Sequence, residues 1–309
     1  MANRWTQNDI PNQQGKRVIV TGGNSGIGYE AALALAGRDA QVILAVRNVD
    51  KGEEAVRQIR QRHPQALVAV MELNLADLKS IAAFADSFLA NHDRLDILIN
   101  NAGVMALPAR KTVDGFEMQF GTNHLGHFAL TGLLLPLLKK TPGARIVTVS
   151  SGVHILGDIH FDDLQWEKKY DRWGAYAQSK LANLLFAYEL QRRFAETGIN
   201  AISVGCHPGY AATNLQYAGP RMDGSAFGVW LSSAGNSLFA QKPEVGALPT
   251  LFAAVAEEVN GCDYIGPTGM GGMRGYPQKV KSNNKSYDEA LAKRLWTVSE
   301  KSTGVVYSF

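Results

Sequence analysis

The sequence predicts an α/β protein built on a doubly wound parallel sheet, and three features predict it. Short β-branched runs alternate six times with helix-forming stretches, the runs are apolar on both faces, and the first ends in a glycine cluster that opens into a helix. Strands apolar on both faces belong in a sheet that is covered on both sides. Parallel neighbours need crossovers, which are right-handed almost without exception, so helices fall on both faces.

RVIV (17–20) is followed by TGGNSGIG (21–28) and then EAALALA (30–36), which reads as strand, tight turn and helix. QVILAV (41–46) is the second strand, with a helix from about Lys51 to Arg62, and ALVAVMEL (66–73) the third, with a helix from about Asp77 to Leu89. DILIN (96–100), a long helical stretch ending near Lys140, ARIVTVS (144–150), a helix from about Ala175 to Glu196, and NAISVGC (200–206) complete the alternation. Residues 210–237 are richer in Gly, Ser and aromatics and less periodic, which marks a candidate substrate lid carrying Tyr210, Tyr217, Met222, Phe227 and Trp230. An amphipathic helix is expected over 243–259 and another over 287–302. No linker or repeat divides the 309 residues, so one domain is expected over 1–309, with an N-terminal arm over 1–15 and a C-terminal extension over 271–309.

Hydrophobic residues make up 46% and charged ones 19%, an ordinary globular balance that excludes wholesale disorder and fibrous repeats. The net charge of +3 is interspersed, which argues against a nucleic-acid partner. Two cysteines, Cys206 and Cys262, supply neither a disulfide framework nor a zinc knot, so a reducing, cytoplasmic setting is expected. The first residues contain no signal-like apolar core, and the longest apolar stretch, FALTGLLLPLL (128–138), is too short to span a bilayer.

The glycine cluster fits T-G-x-x-x-G-x-G. Missing side chains let phosphates approach the backbone, and the first N–H groups of the following helix favour a pyrophosphate. The candidate cofactor residues there are Gly22, Asn24, Ser25, Gly26, Ile27 and Gly28. The alternative is a turn that merely needs positive φ. At the end of the second strand stand Arg47 and Asn48 with no carboxylate, which favours a 2′-phosphate and hence NADP(H); the alternative is a solvated loop cation. Tyr176 and Lys180 form Y-x-x-x-K on one helical face. A phenol titrates near 10, and an ammonium about 4 Å away at an effective dielectric near 20 lowers that by roughly three units. The rival reading is accidental spacing, against which Leu181, Leu184, Leu185 and Tyr188 argue by fixing the opposite face in a core.

Together these residues resemble the short-chain dehydrogenase/reductase family over nearly the whole chain. The resemblance adds Asn100-Asn101-Ala102-Gly103 after the fourth strand, Asn123 in the long helix, Ser150-Ser151 after the fifth, and His207-Pro208-Gly209 followed by Thr213 after the sixth. Within the family the chain looks most like the retinol-dehydrogenase and protochlorophyllide-reductase-like branch, through 45–55, 160–183 and 295–304. The resemblance implies a Rossmann-type fold and an NADP(H)-dependent oxidoreductase interconverting a ketone or aldehyde with its alcohol. Reduction of a C=C bond, or non-catalytic NADP(H) sensing, are the alternatives. It also implies a role for each residue: Tyr176 as proton donor or acceptor, Lys180 on the ribose hydroxyls while lowering the Tyr176 pKa, Ser151 on the substrate oxygen, and Asn123 holding a relay water. Asn101, Ala102, Gly103, Pro208, Gly209 and Thr213 would line the cofactor.

Asn74-Leu75 stands where the family often has Asp-Leu at the adenine, and an amide oxygen can still accept that bond. Substrate contacts are expected from Val153, His154 and Tyr210; for His154 a loop histidine bonded to backbone is the alternative. The insert 155–173 is expected either to form part of the substrate entrance or to be a surface excursion. His124 and His127 form H-x-x-H without an acidic third ligand, so no metal site is expected. The apolar faces around Phe116 to Leu138 and Leu181 to Phe194 are expected, from the family, to pair copies into a homodimer or homotetramer.

Overall fold

A computed structural model describes residues 4–210 and 241–309. Six parallel strands appear where the β-branched runs lie: β1 (Arg17–Thr21), β2 (Gln41–Val46), β3 (Val68–Glu72), β4 (Ile97–Asn100), β5 (Ala144–Val149) and β6 (Ala201–Cys206). Two more follow, β7 (Tyr264–Gly269) and β8 (Arg274–Val280), and the sheet order is β3-β2-β1-β4-β5-β6-β7-β8. The order reverses between β1 and β4, which opens a crevice at the carboxyl ends of the strands.

Side chains alternate along each strand as a doubly covered sheet requires. Val18 and Val20 point into a core with α1 (Gly26–Ala36) and α2 (Val49–Arg62), while Ile19 points into the opposite core with α3 (Leu78–Asn91), α5 (Gly126–Lys140) and α6 (Arg172–Thr197). Short polar caps start most of these helices: Asn48 caps α2, Asp77 caps α3 and Asp171 caps α6, each accepting backbone N–H groups. Gly198, at φ 69°, ends α6 in the left-handed conformation.

The long helical stretch ends at Lys140 as expected and holds a π turn: α4 (Met118–Phe120) passes through Gly121–Leu125 in that conformation before α5 begins. Two expectations are corrected. The span 243–259 holds two short helices, α7 (Pro243–Gly246) and α8 (Leu248–Val255), and every residue of α8 is buried against the sheet, so it is not amphipathic. The C-terminal extension is integral to the fold, because β8 completes the sheet and α9 (Glu289–Thr303) packs on α6.

That last contact bears on assembly. The α5 and α6 faces expected to meet a second copy are covered by the chain itself, since Phe128 and Phe186 pack against Trp296, with ring centroids 5.0 and 5.8 Å away, and Tyr307 lies 4.9 Å from Phe128. The Tyr307 hydroxyl donates to the Phe128 carbonyl at 2.6 Å. Gly132 is what admits the tail: a Cβ there would stand 2.6 Å from the Tyr307 ring and 2.7 Å from Val305. No helix among the described residues is long and apolar enough to cross a membrane.

Tyr307→Ala removes a ring that closes this aromatic cluster together with its hydrogen bond. It is expected to destabilise the protein by about 3–5 kcal/mol, read as a lower denaturant midpoint at unchanged slope; an unchanged midpoint would show that the tail does not hold α5 and α6.

Candidate active site

The ends of β1, β2, β4, β5 and β6 deliver the glycine turn, Arg47, Asn101 to Gly103, Ser150-Ser151 and His207 to Gly209 to one edge of the sheet. Thr21 fastens the first of these to the third. Its hydroxyl oxygen accepts the N–H groups of Asn101 and Ala102, both at 2.9 Å, and lies 2.9 Å from His127 Nε2. The other ring nitrogen, Nδ1, is 2.9 Å from the Asn123 carbonyl, which can only accept. Nδ1 therefore carries the proton, and Nε2 accepts from Thr21. Neither Thr21 nor His127 was singled out for the site from sequence, although Thr21 opens the glycine motif and His127 stands one turn beyond Asn123.

The π turn bulges Asn123 inward, a distortion common at functional sites. Its Nδ2 donates to the Val104 carbonyl and to Ser179 Oγ, both at 2.9 Å, and its Oδ1 accepts from Val104 N at 2.8 Å. The side chain is thus a clamp on the loop after β4, with both amide hydrogens spent, rather than a free holder of water. Gly103 lies in that loop. A Cβ there would stand 3.1 Å from Asn123 Oδ1 and 3.5 Å from Lys180 Nζ, so glycine leaves the ammonium uncovered.

Tyr176 and Lys180 lie in α6, both buried, with Nζ 5.8 Å from the centre of the tyrosine ring. Nζ donates to the Val149 carbonyl at 3.1 Å, and the Ser151 hydroxyl stands near enough to the phenol to favour its ionised form. Ser150, by contrast, turns inward, and its hydroxyl donates to the Lys180 carbonyl at 2.7 Å. Burial dominates the electrostatics: it pushes the Tyr176 phenol up to about 12, against a smaller lowering by Ser151, and pushes the Lys180 ammonium down to about 8. The expectation that Lys180 lowers the phenol is corrected for the chain alone, because water is excluded from both groups and burial disfavours the charged form of each, raising the phenol and lowering the ammonium.

A dinucleotide would find matching groups along this edge. Gly22 and Gly26 take positive φ of 66° and 56°, and Ser25, at the head of α1, makes no side-chain cap, so the first-turn N–H groups are left for an anion, whereas α2, α3 and α6 cap theirs. Gly28 has a different role. A Cβ there would meet Asn101 Nδ2 at 2.5 Å and the Gly22 carbonyl at 2.6 Å, so it lets helix and turn touch. Asn24 and Ile27 are half-buried, and Arg47 is exposed beside the turn.

Other expected residues are spent elsewhere. Asn48 Oδ1 caps Lys51 N, Asn74 Oδ1 accepts from Ala76 N, and the Leu75 side chain is in the core. His154 is corrected as a substrate contact: it is buried, Nδ1 bonds the Ser151 carbonyl at 2.7 Å and Nε2 accepts from Asn283 N at 3.2 Å. Val153 donates its N–H to Ser151 Oγ. The imidazoles of H-x-x-H serve packing, His124 Nε2 lying 2.8 Å from Ser299 Oγ. Pro208 accepts from Gln241 Nε2 at 2.7 Å, and Tyr210 N donates to the Met273 carbonyl at 2.8 Å. Gly209, at φ 68°, sits where a Cβ would collide with that same carbonyl. Thr213 and the lid beyond Tyr210 lie outside the described residues.

The short chain dehydrogenase family model matches residues 16–222. Retinol dehydrogenase 13 of Homo sapiens is 44% identical over 293 residues, covering 94% of this chain and 85% of the relative, and retinol dehydrogenase 11 of Homo sapiens is 45% identical over 285 residues, covering 92% and 85%. A solved structure of an uncharacterised protein from Mycobacterium paratuberculosis superposes with a TM-score of 0.82 at 42% identity, covering 99% of this chain and all of that one.

The buried histidines set a pH dependence. Burial holds His124 at about 3, His127 and His207 at about 4, and His154 below its usual value. An unfolded histidine titrates near 6.5, so below that pH the unfolded chain binds protons that the folded chain refuses. Stability is therefore complete above about pH 6.5 and falls as pH drops towards 4, by up to about 1.4 kcal/mol per pH unit for each imidazole. Denaturation at pH 7, 6 and 5 checks this; equal stability at all three contradicts it.

Proposed function

The chain belongs to the short-chain dehydrogenase family, and we propose that it is an NADP(H)-dependent oxidoreductase that interconverts an apolar ketone or aldehyde with the matching alcohol. One observation carries the reading: a buried phenol and a buried ammonium one turn apart on the same helix, Nζ 5.8 Å from the ring centre, with only Gly103 facing the ammonium from the loop after β4.

With its phenol pushed up to about 12, Tyr176 keeps its proton at neutral pH, which suits a donor to a carbonyl oxygen during reduction. Ser151 stands beside that phenol and would hold the same substrate oxygen, stabilising charge as it develops. Lys180 directs one donor at Val149 and keeps two for ribose hydroxyls. The uncapped head of α1 would take the pyrophosphate, and Asn101, Ala102 and Gly103 would line the sugar and ring. When bound, the dinucleotide supplies the hydride.

The apolar substrate class is supported by exposed apolar side chains. Trp173 is 49% exposed with its ring 6.3 Å from that of Tyr176, and Ile155, Leu156, Met270 and Met273 are exposed in the turns that follow β5 and β7. Relatives named as retinol dehydrogenases fit the same class. For NADP(H) the support is Arg47, exposed just past the end of β2 with no carboxylate paired to it among the described residues, and able to grip a 2′-phosphate. The reading includes a cytoplasmic setting and a homo-oligomer.

Tyr176→Phe is expected to lower turnover of NADPH with apolar aldehydes and ketones by about 10²–10⁴-fold, followed at the reduced-nicotinamide absorbance; equal turnover by both proteins would remove Tyr176 as the acid. Product analysis separates C=O from C=C reduction. Arg47→Ala is expected to raise the KM for NADPH by roughly 10–100-fold and to leave that for NADH nearly unchanged. Equal effects on both cofactors would count against a 2′-phosphate contact.

A further inference from the structure

The insert 155–173 reaches the foundations of the site through one hydroxyl. Tyr170 OH lies 2.9 Å from the Leu107 carbonyl and 3.2 Å from Glu117 Oε1, and it accepts from Gln119 Nε2 at 3.0 Å. Each partner belongs to a different support. Leu107 ends the loop that follows Gly103. Glu117 is 2% exposed and caps the turn leading to Asn123, its carboxylate accepting from Gln119 N at 3.0 Å and Phe120 N at 2.6 Å. Gln119, fully buried, accepts from Ala106 N at 2.7 Å and donates to the Arg172 carbonyl at 2.9 Å, at the first turn of the helix that carries Tyr176.

A buried carboxylate and a buried amide are costly unless every polar atom is paired, so this network has one favourable arrangement. It spans the loop carrying Gly103, the π turn carrying Asn123 and the head of α6. We propose that Tyr170 is a positioning residue: its hydroxyl sets the spacing between the loop at 103–107 and the start of α6, and so between Gly103 and the Tyr176 and Lys180 side chains that α6 carries. The insert is then a strap across the back of the site. Gln165 fastens it separately, accepting from Glu117 N at 2.6 Å, and Gln178 of α6 holds it through His160 N and the Leu164 carbonyl, both at 3.0 Å.

The catalytic half of this proposal rests on the function proposed above; the structural half does not. Tyr170→Phe deletes the oxygen and keeps the ring, and Gln165→Ala loosens the insert while leaving the hydroxyl in place. Hydrogen exchange on the protein without cofactor is expected to rise roughly tenfold, the size of one lost hydrogen bond, at 104–107 and at 172–176 together in Tyr170→Phe. In Gln165→Ala it should rise within the insert and at the Glu117 amide from which Gln165 accepts, but not at 104–107 or 172–176. With NADPH and an apolar aldehyde, Tyr170→Phe is expected to lower kcat roughly tenfold, to leave the KM for NADPH unchanged and to increase the solvent deuterium isotope effect, which simple loss of folded protein would not move. Exchange that rises only within 158–170, or an unchanged kcat and isotope effect with both segments loosened, overturns the proposal. A wild-type protein without turnover on any carbonyl would instead overturn the function, and the exchange result alone would then decide whether the strap exists.

Discussion

The arrangement of this edge follows from one constraint, the burial of the Lys180 ammonium. Lowering it from 10.5 to about 8 corresponds to about 3 kcal/mol held against the charged form. A single backbone bond, to Val149, compensates among the described residues. The surroundings are built to tolerate this. Val149 ends the central strand β5, Asn183 donates to the same carbonyl at 3.0 Å, and Gly103 withholds a Cβ that would stand 3.5 Å from the ammonium nitrogen. A buried cation with unspent donors is a poor way to stabilise a fold and a good way to prepare a binding site, because a ligand oxygen replaces the missing water.

The phenol beside it obeys the same logic with opposite sign. Burial keeps the proton on Tyr176, and Ser151 is the partner that offsets part of this. The two residues come from different elements, α6 and the turn after β5, so their proximity depends on the sheet and helix keeping register. Ser150 secures that register by bonding the Lys180 carbonyl from the strand side, and His154 secures the turn by bonding the Ser151 carbonyl from below. Thr21 and His127 do the equivalent for the glycine turn and the π turn. Such ties are made by neutral imidazoles, and for this reason acid weakens the fold and the site together.

Much of this was legible in the residues. The six parallel strands lie where β-branched runs alternate with helix formers, and the functional groups of β1, β4, β5 and β6 lie at strand ends, as the pattern requires. What escaped has identifiable reasons. In β7 and β8, Gly266, Pro267 and Pro277 interrupt any apolar run; such residues are tolerated because β8 is an edge strand and most of β7 pairs with β8 alone. The π turn is invisible to a periodicity argument, since it shifts the helical phase by one residue within an otherwise continuous apolar helix. Misreading α8 as amphipathic has a related cause: Thr250 and the alanines look polar or neutral in sequence, yet Thr250 is buried 3.6 Å from Cys206. The commitments of Asn48, Asn74 and Asn123 were hidden because an amide that caps a helix or clamps a loop is indistinguishable in sequence from one that greets a ligand.

The covering of α5 and α6 by the C-terminal segment ties stability to chemistry in a further way. These helices carry the groups that meet at the site on their inner faces, namely the π turn at the head of α5 and Tyr176 and Lys180 on α6. On their outer faces they are held by Trp296, Tyr307 and Phe309, with Arg193 lying 4.2 Å over the Trp296 ring. The hydrophobic gain from closing that face is made within one chain, so it does not depend on protein concentration as burial against a second copy would. Helix α6 is therefore braced from three directions: the sheet beneath, the insert at its head and the C-terminal segment along its back. A long helix carrying a strained ammonium needs such bracing, because any local opening that admitted water would relax the buried charge and with it the reason for the site to bind a ligand.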